Sequence, residues 1–189
     1  TWIISALTKI SDFFVKGSVC AVLDIDGTIL KDRTDKFNNE MDPFCIHMIY
    51  NIFQMCKKLD IPIYILTARP EGRDQRKWTV GQLTKCGYPP SSYVELIMMP
   101  NSEWNRQDTD PEWNFSEYKY RERERVARTH NKTIVLNAGD QWTDLLRVPP
   151  CSKSTEEADA YNQLKRLPNK GIYVGSLLDL SWISIKLPH

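Results

Sequence analysis

The chain has 189 residues, 41% of them hydrophobic and 26% charged, with a formal net charge of +1. That length and make-up suit one folded unit with a sizeable core, and the near-neutral balance, with no basic stripe, argues against a nucleic-acid binder. No apolar run approaches the length of a membrane span.

Helical and strand patterns alternate along the chain, which implies an α/β fold: a parallel sheet of about five strands with helices on both faces. Residues 1–17 hold an N-terminal amphipathic helix, Trp2 to Phe14. Val19 to Leu23 is a short continuous apolar run, the pattern of a strand buried on both faces, and such strands deliver side chains to the crevice beyond their carboxyl ends. Asp24 and Asp26 follow at once, then Gly27 for a sharp turn and Thr28 with its hydroxyl. Two carboxylates on the same side of an extended chain repel unless a cation or proton lies between them. A divalent, oxygen-loving ion such as Mg²⁺ would neutralise the pair. A turn that merely caps the strand is the plainer alternative.

Asp42 can cap a second helix with Pro43 at its first position, and Phe44, Met48, Ile49, Ile52, Phe53, Cys56 and Leu59 recur at helical spacing as core. Ile61 to Thr67 is a second buried strand ending in a hydroxyl, followed by Ala68, Arg69 and Pro70. Glu71 to Lys85 is a third helix, stopped near Gly87 and the Pro89-Pro90 pair. Val94 to Met99 is the third strand. Residues 100–115 (PNSEWNRQDTDPEWNF) read as a long turn-rich insertion carrying Trp104, Trp113 and Phe115. Long loops in compact domains tend to be functional. These aromatics could stack on a base or an aromatic phosphate ester, or simply pack the loop onto the body.

Ser116 to Arg128 reads as a charged helix with Lys119 in its first turn, and Thr133 to Leu136 as a strand leading through Asn137, Ala138 and Gly139 to Asp140, with Asp144 four residues on. Thr155 to Arg166 is a polar helix and Gly171 to Gly175 a final strand. Three strand ends therefore present acid, hydroxyl and acid, with one lysine nearby. Each residue alone has a bland reading: Thr67 as a strand-end hydroxyl, Lys119 as a solvated helix residue, Asp140 and Asp144 as turn and cap, Arg69 as a partner for Glu71 or Asp74. Their joint order favours an enzyme. The histidines lack partners at ligand spacing. The five cysteines are odd in number and lack metal-ligand spacing, so buried free thiols, and with them an intracellular, cytoplasmic location, are expected. The chain begins at Thr1 rather than Met, which leaves a removed secretion signal open.

The stretches AVLDIDGTIL, LTARPEGRDQR, EYKYRERERV and NAGDQWTDLL resemble the haloacid dehalogenase (HAD) superfamily of phosphatases. The similarity is greatest to its class B acid-phosphatase branch, which includes plant acid phosphatases (subfamily IIIB), vegetative storage proteins and bacterial outer-membrane phosphatases. GDQWTDLL is the most specific of these stretches, and KRLPNKGIYV looks like the branch's closing strand. Ala68 stands where a Gly is usual, and Tyr120 and Arg121 replace a small residue and a Glu. With 23 residues ahead of Asp24, a single HAD-like domain over 1–189 with minimal or no cap domain is expected.

The resemblance implies a Mg²⁺-dependent phosphomonoester hydrolase acting through an aspartyl phosphate on a small-molecule substrate, with nucleotides among the candidates. Phosphoryl transfer asks for positioning, positive charge and hydrogen-bond donors. Asp24 would be the nucleophile and Asp26 the acid and then the base. Thr67, Lys119 and the Ala68 N–H would hold phosphoryl oxygens. Asp24, the Asp26 carbonyl and Asp140 would hold the metal, with Asp144, Thr28 and Arg69 in support. A phosphotransferase to an alcohol acceptor and a catalytically weak storage or scaffold protein are the alternatives, and homo-oligomerisation is left open.

Overall fold

The computed structural model describes residues 2–31, 45–105, 111–147, 173–176 and 181–188, with 159, 162, 163 and 166 besides. Helix α1 (Trp2–Phe13) leads into strand β1 (Val19–Leu23); α2 (His47–Lys58), β2 (Ile63–Glu71), α3 (Arg73–Lys85) and β3 (Glu95–Pro100) follow. Then come α4 (Asn101–Trp104), α5 (Pro111–Thr129), β4 (Thr133–Gly139), α6 (Trp142–Leu145), β5 (Tyr173–Ser176) and β6 (Ser181–Lys186).

The strands form one sheet in the order β3-β2-β1-β4-β6-β5. Five run parallel, and β5 closes the edge antiparallel to β6. Strand β1 is buried at all five residues. Its alternate side chains enter different cores: Val19, Ala21 and Leu23 join Leu7, Phe53 and Leu83 on one face, and Cys20 and Val22 join Tyr118 and Val126 on the other. That is the two-sided burial that a continuous apolar run signals. The chain crosses from β1 to β2 on one side and reaches β4 on the other, so the switch point of the sheet lies between β1 and β4. Ligand crevices in open α/β sheets form there, beyond the carboxyl ends of the strands.

Several expectations need correction. The final predicted strand is the antiparallel edge, Tyr173–Ser176, whereas the fifth parallel strand is β6. Helix α2 begins at His47 with Ile46 before it and no side-chain cap; Asp42, Pro43 and Phe44 lie outside the described residues. Helix α3 starts two residues late, because β2 continues through Pro70 and Glu71 along β3. The 100–115 segment is not simply a loop: Pro100 closes β3, α4 follows, and 111–115 already belong to α5. Lys119 consequently sits in the third turn of α5, not the first. The expected helix Thr155 to Arg166 lies largely outside the described residues.

Cys45 and Cys86 form a disulfide, with Cα atoms 5.5 Å apart. The expectation of free thiols therefore fails for these two, because the start of α2 and the end of α3 converge. It holds for Cys20 and Cys56, which are free and buried. With Cys45 and Cys86 bridged, the cysteines no longer favour an intracellular location. No helix among the described residues is long and apolar enough to cross a membrane.

Candidate active site

Strand β1 stops at Leu23 and a turn follows at Ile25, so the alternation of an extended strand does not carry through to Asp26. Asp24 continues the strand by donating its N–H to the Ala138 carbonyl at 3.0 Å, and the residue is 5% exposed. Gly27 then takes φ +69°, and a Cβ there would lie 2.3 Å from Asp140 Oδ2. Only glycine permits both the left-handed turn and the approach of that carboxylate. Thr28 is buried, its hydroxyl 3.5 Å from Asp24 Oδ2.

Asp140 follows β4 directly, and Asp144 comes back toward it on the short helix α6. The Asp144 carboxylate accepts from the Gln141 N–H at 2.8 Å, closing a capping box with the Gln141 side chain. Its backbone carbonyl accepts from Arg123 Nη1 at 2.6 Å and Asn137 Nδ2 at 3.0 Å. From α5, the Lys119 ammonium donates to Asp24 Oδ1 at 2.7 Å and to Asp144 Oδ1. Asp144 therefore anchors the lysine as well as belonging to the acidic cluster.

Burial, together with the Asp144 and Asp26 charges, pushes the Asp24 carboxyl well above its ordinary range, against the pull of Lys119. Burial alone would lower the Lys119 ammonium, but Asp144 and Asp24 outweigh it and hold it above its ordinary value. One ammonium thus works against several crowded carboxylates. Asp24, Asp140 and Asp144 are all buried and can each offer one oxygen within 4.8 Å of the others. A buried, all-oxygen donor set with excess negative charge fits a hard divalent cation.

The Asp26 carboxylate points elsewhere. Half exposed, it is held by Arg69 through Nε at 2.7 Å and Nη2 at 2.5 Å. Arg69 is fixed in turn by Gln82 Oε1 at 2.7 Å and Thr79 Oγ1 at 3.3 Å, both from α3, and lies 4.9 Å from the Trp78 ring. Glu71, which sequence offered as an Arg69 partner, pairs with Arg76 instead. Thr67 is buried at the end of the apolar part of β2, its hydroxyl accepting from the Arg69 N–H at 3.2 Å.

A cavity of about 270 Å³ opens over these groups, lined by Asp24, Asp26, Thr67, Ala68, Arg69, Lys119, Asp140 and Asp144. Pro70, Trp104, Phe115, Gln141 and Thr143 complete its lining. Trp104 stacks on Phe115, the ring centroids 5.5 Å apart and the planes 22° from parallel. Trp113 does not reach this cavity: it lines a separate void of about 40 Å³ with Tyr118, Glu103 and Arg121. Arg121 bridges α5 to α4 by donating Nη2 to both Glu103 oxygens at 2.8 Å.

Sequence reasoning missed Arg123, Lys186 and Asn137. Arg123 had a findable signal, since it lies four residues after Lys119 and so shares its helical face. Lys186 had none, because its strand was not anticipated.

A family model described as HAD superfamily, subfamily IIIB (acid phosphatase), matches residues 33–174. That range includes Thr67, Lys119, Asp140 and Asp144 and begins after Asp24 and Asp26. No curated protein matches the chain. The extent of the match settles the family: the chain belongs to the HAD superfamily, subfamily IIIB, the acid phosphatases, and is a phosphoric monoester hydrolase.

Proposed function

We propose that this phosphatase hydrolyses small phosphomonoesters with Mg²⁺ bound and Asp24 as nucleophile. The observation that carries the reading is Asp24 itself: a buried carboxylate beyond β1, one oxygen held by Lys119, opening into the cavity. An Asp24 oxygen bonds to phosphorus as the ester P–O bond breaks, and Asp26 gives the leaving oxygen its proton. Asp26 then takes a proton from the water that attacks the aspartyl phosphate, releasing phosphate and restoring Asp24. The Thr67 hydroxyl, the Ala68 N–H and Lys119 donate to the equatorial oxygens, where charge accumulates.

Asp24, Asp140 and the Asp26 main-chain carbonyl would hold Mg²⁺, which supplies positive charge for the phosphoryl oxygens. Asp144 keeps Lys119 in place. Arg69 holds both Asp26 oxygens, so Asp26 must leave that pairing to reach a leaving oxygen. A cavity of about 270 Å³ lies just under the roughly 300–1,000 Å³ range of small-molecule pockets, which supports a small ester. The Trp104–Phe115 wall supports an alcohol carrying a flat ring, nucleosides included. The test is Asp24→Asn assayed on a phosphomonoester panel with Mg²⁺: turnover should fall to background while the melting temperature stays within a few degrees. Activity near wild type would sink the mechanism.

A further inference from the structure

Arg69 lines the cavity, and the proposed reaction uses it only as the partner that Asp26 leaves. The fold nevertheless commits several side chains to it. From α3, Gln82 Oε1 and Thr79 Oγ1 accept from Nη1, at 2.7 and 3.3 Å, and the Trp78 ring lies 4.9 Å from the guanidinium carbon. The remaining edge, Nε with Nη2, forms a fork that carries the two Asp26 oxygens. The Arg69 side chain is 14% exposed, against 50% for Asp26. Helix α3 therefore fixes the fork independently of Asp26, whereas the carboxylate seated on it is half in solvent.

Asp26 cannot occupy the fork and reach the ester oxygen at the same time. When it leaves, a largely buried guanidinium loses its opposite charge, which is costly unless another anion takes the place. Among the described residues no second acid pairs with Arg69, since Glu71 is held by Arg76. The phosphoryl oxygens already have Thr67, the Ala68 N–H and Lys119. An Nε and Nη2 fork matches the two oxygens of a carboxylate, the group it holds now. Asp26 acts on the ester oxygen, so the replacing group belongs to the alcohol portion of the substrate, on the far side of that oxygen from phosphorus.

We propose that Arg69 is a specificity-determining residue that selects phosphate esters of hydroxy acids: the substrate carboxylate replaces Asp26 on the guanidinium fork and releases Asp26 to the ester oxygen. The inference rests on the reading of Asp26 as the acid. An Arg69 that merely held Asp26 in place would act on every ester alike. Exchange on the fork ties its effect to one charge on the substrate.

The experiment measures kcat/KM for the phosphate esters of glycolic, 3-hydroxypropanoic and 4-hydroxybutanoic acids, each beside its primary amide, which keeps the shape and removes the charge. Wild type should prefer acid over amide by roughly fivefold or more at one chain length at least, the worth of a charge-assisted hydrogen-bonded pair. In Arg69→Met that ratio should fall below twofold. Arg69→Lys, which keeps the charge and loses the fork, and Gln82→Met, which loosens it, should lie between. Because both rates come from one preparation, the ratio does not depend on the fraction folded. If neither Arg69 variant folds at all, Gln82→Met decides. A wild-type preference under fivefold at every length, or one that survives in the deciding variant, overturns the inference and leaves the phosphatase reading intact. Wild type that hydrolyses none of the six esters, nor nitrophenyl phosphate, overturns the reading of the site and the inference with it.

Discussion

Asp26 and Asp24 lie two residues apart, yet the fold gives them different surroundings: one is buried against Lys119, the other half exposed against Arg69. Acid-base work by Asp26 predicts that Asp26→Asn slows turnover by about 10² to 10⁴, with a smaller loss for esters whose leaving group needs no proton. Rates on nitrophenyl phosphate and on an alkyl phosphate check this, and equal losses on both would argue against protonation by Asp26. Sequence placed Asp24, Thr67, Lys119, Asp140 and Asp144 at one site because each stands at a strand end or on the helix leading to one. It could not place the Asp26 carboxylate, since alternation holds only within a strand and β1 ends at Leu23. Nor could it find the carbonyl contact from Arg123 to Asp144, which depends on how α6 folds back on α5.

At the scale of elements, the apolar runs and helical stripes were legible because burial sets their period: Ile49, Ile52, Phe53 and Cys56 are all buried on α2. What failed was the segment between β3 and Lys119, where turn residues such as Asn101 and Pro111 open helices instead of breaking them. The consequence falls on the aromatics. Trp104 and Phe115 stack at the cavity, whereas Trp113 lines the separate small void with Tyr118 and Arg121. Trp104→Ala should therefore weaken kcat/KM for aryl or nucleoside phosphates by about 1 to 3 kcal/mol, the range for stacking on a base, and spare small aliphatic phosphates. Trp113→Ala should lower the melting temperature and leave the ratio of aryl to aliphatic rates unchanged. Kinetics of both variants on one ester of each kind decide between them, and a uniform loss with Trp104→Ala would reject the aromatic wall as a substrate contact.

Across the whole molecule, the Cys45–Cys86 disulfide joins the two elements that frame the Asp26–Arg69 pair. Cys45 bridges to Leu30, and the Ile46 N–H donates to Ile29, so this end is tied to the turn that carries Asp26. Cys86 caps α3, whose Thr79 and Gln82 hold Arg69. Counting cysteines could not reveal the pair, because the partners lie 41 residues apart in sequence and only the fold brings them together. In the loop-closure description, a cross-link of that span stabilises by about 4 kcal/mol. For a chain of this length that corresponds to roughly 8–16 °C in melting temperature. The double variant Cys45→Ser/Cys86→Ser should melt lower by about that amount, and reducing the wild type should match it. Reductant added to the double variant should then do nothing further, because the remaining described thiols, Cys20 and Cys56, are buried and free. Melting curves of both proteins with and without reductant provide the measurement. A wild-type curve unmoved by full reduction, verified by thiol counting under denaturing conditions, would show that helix packing alone holds the two ends together.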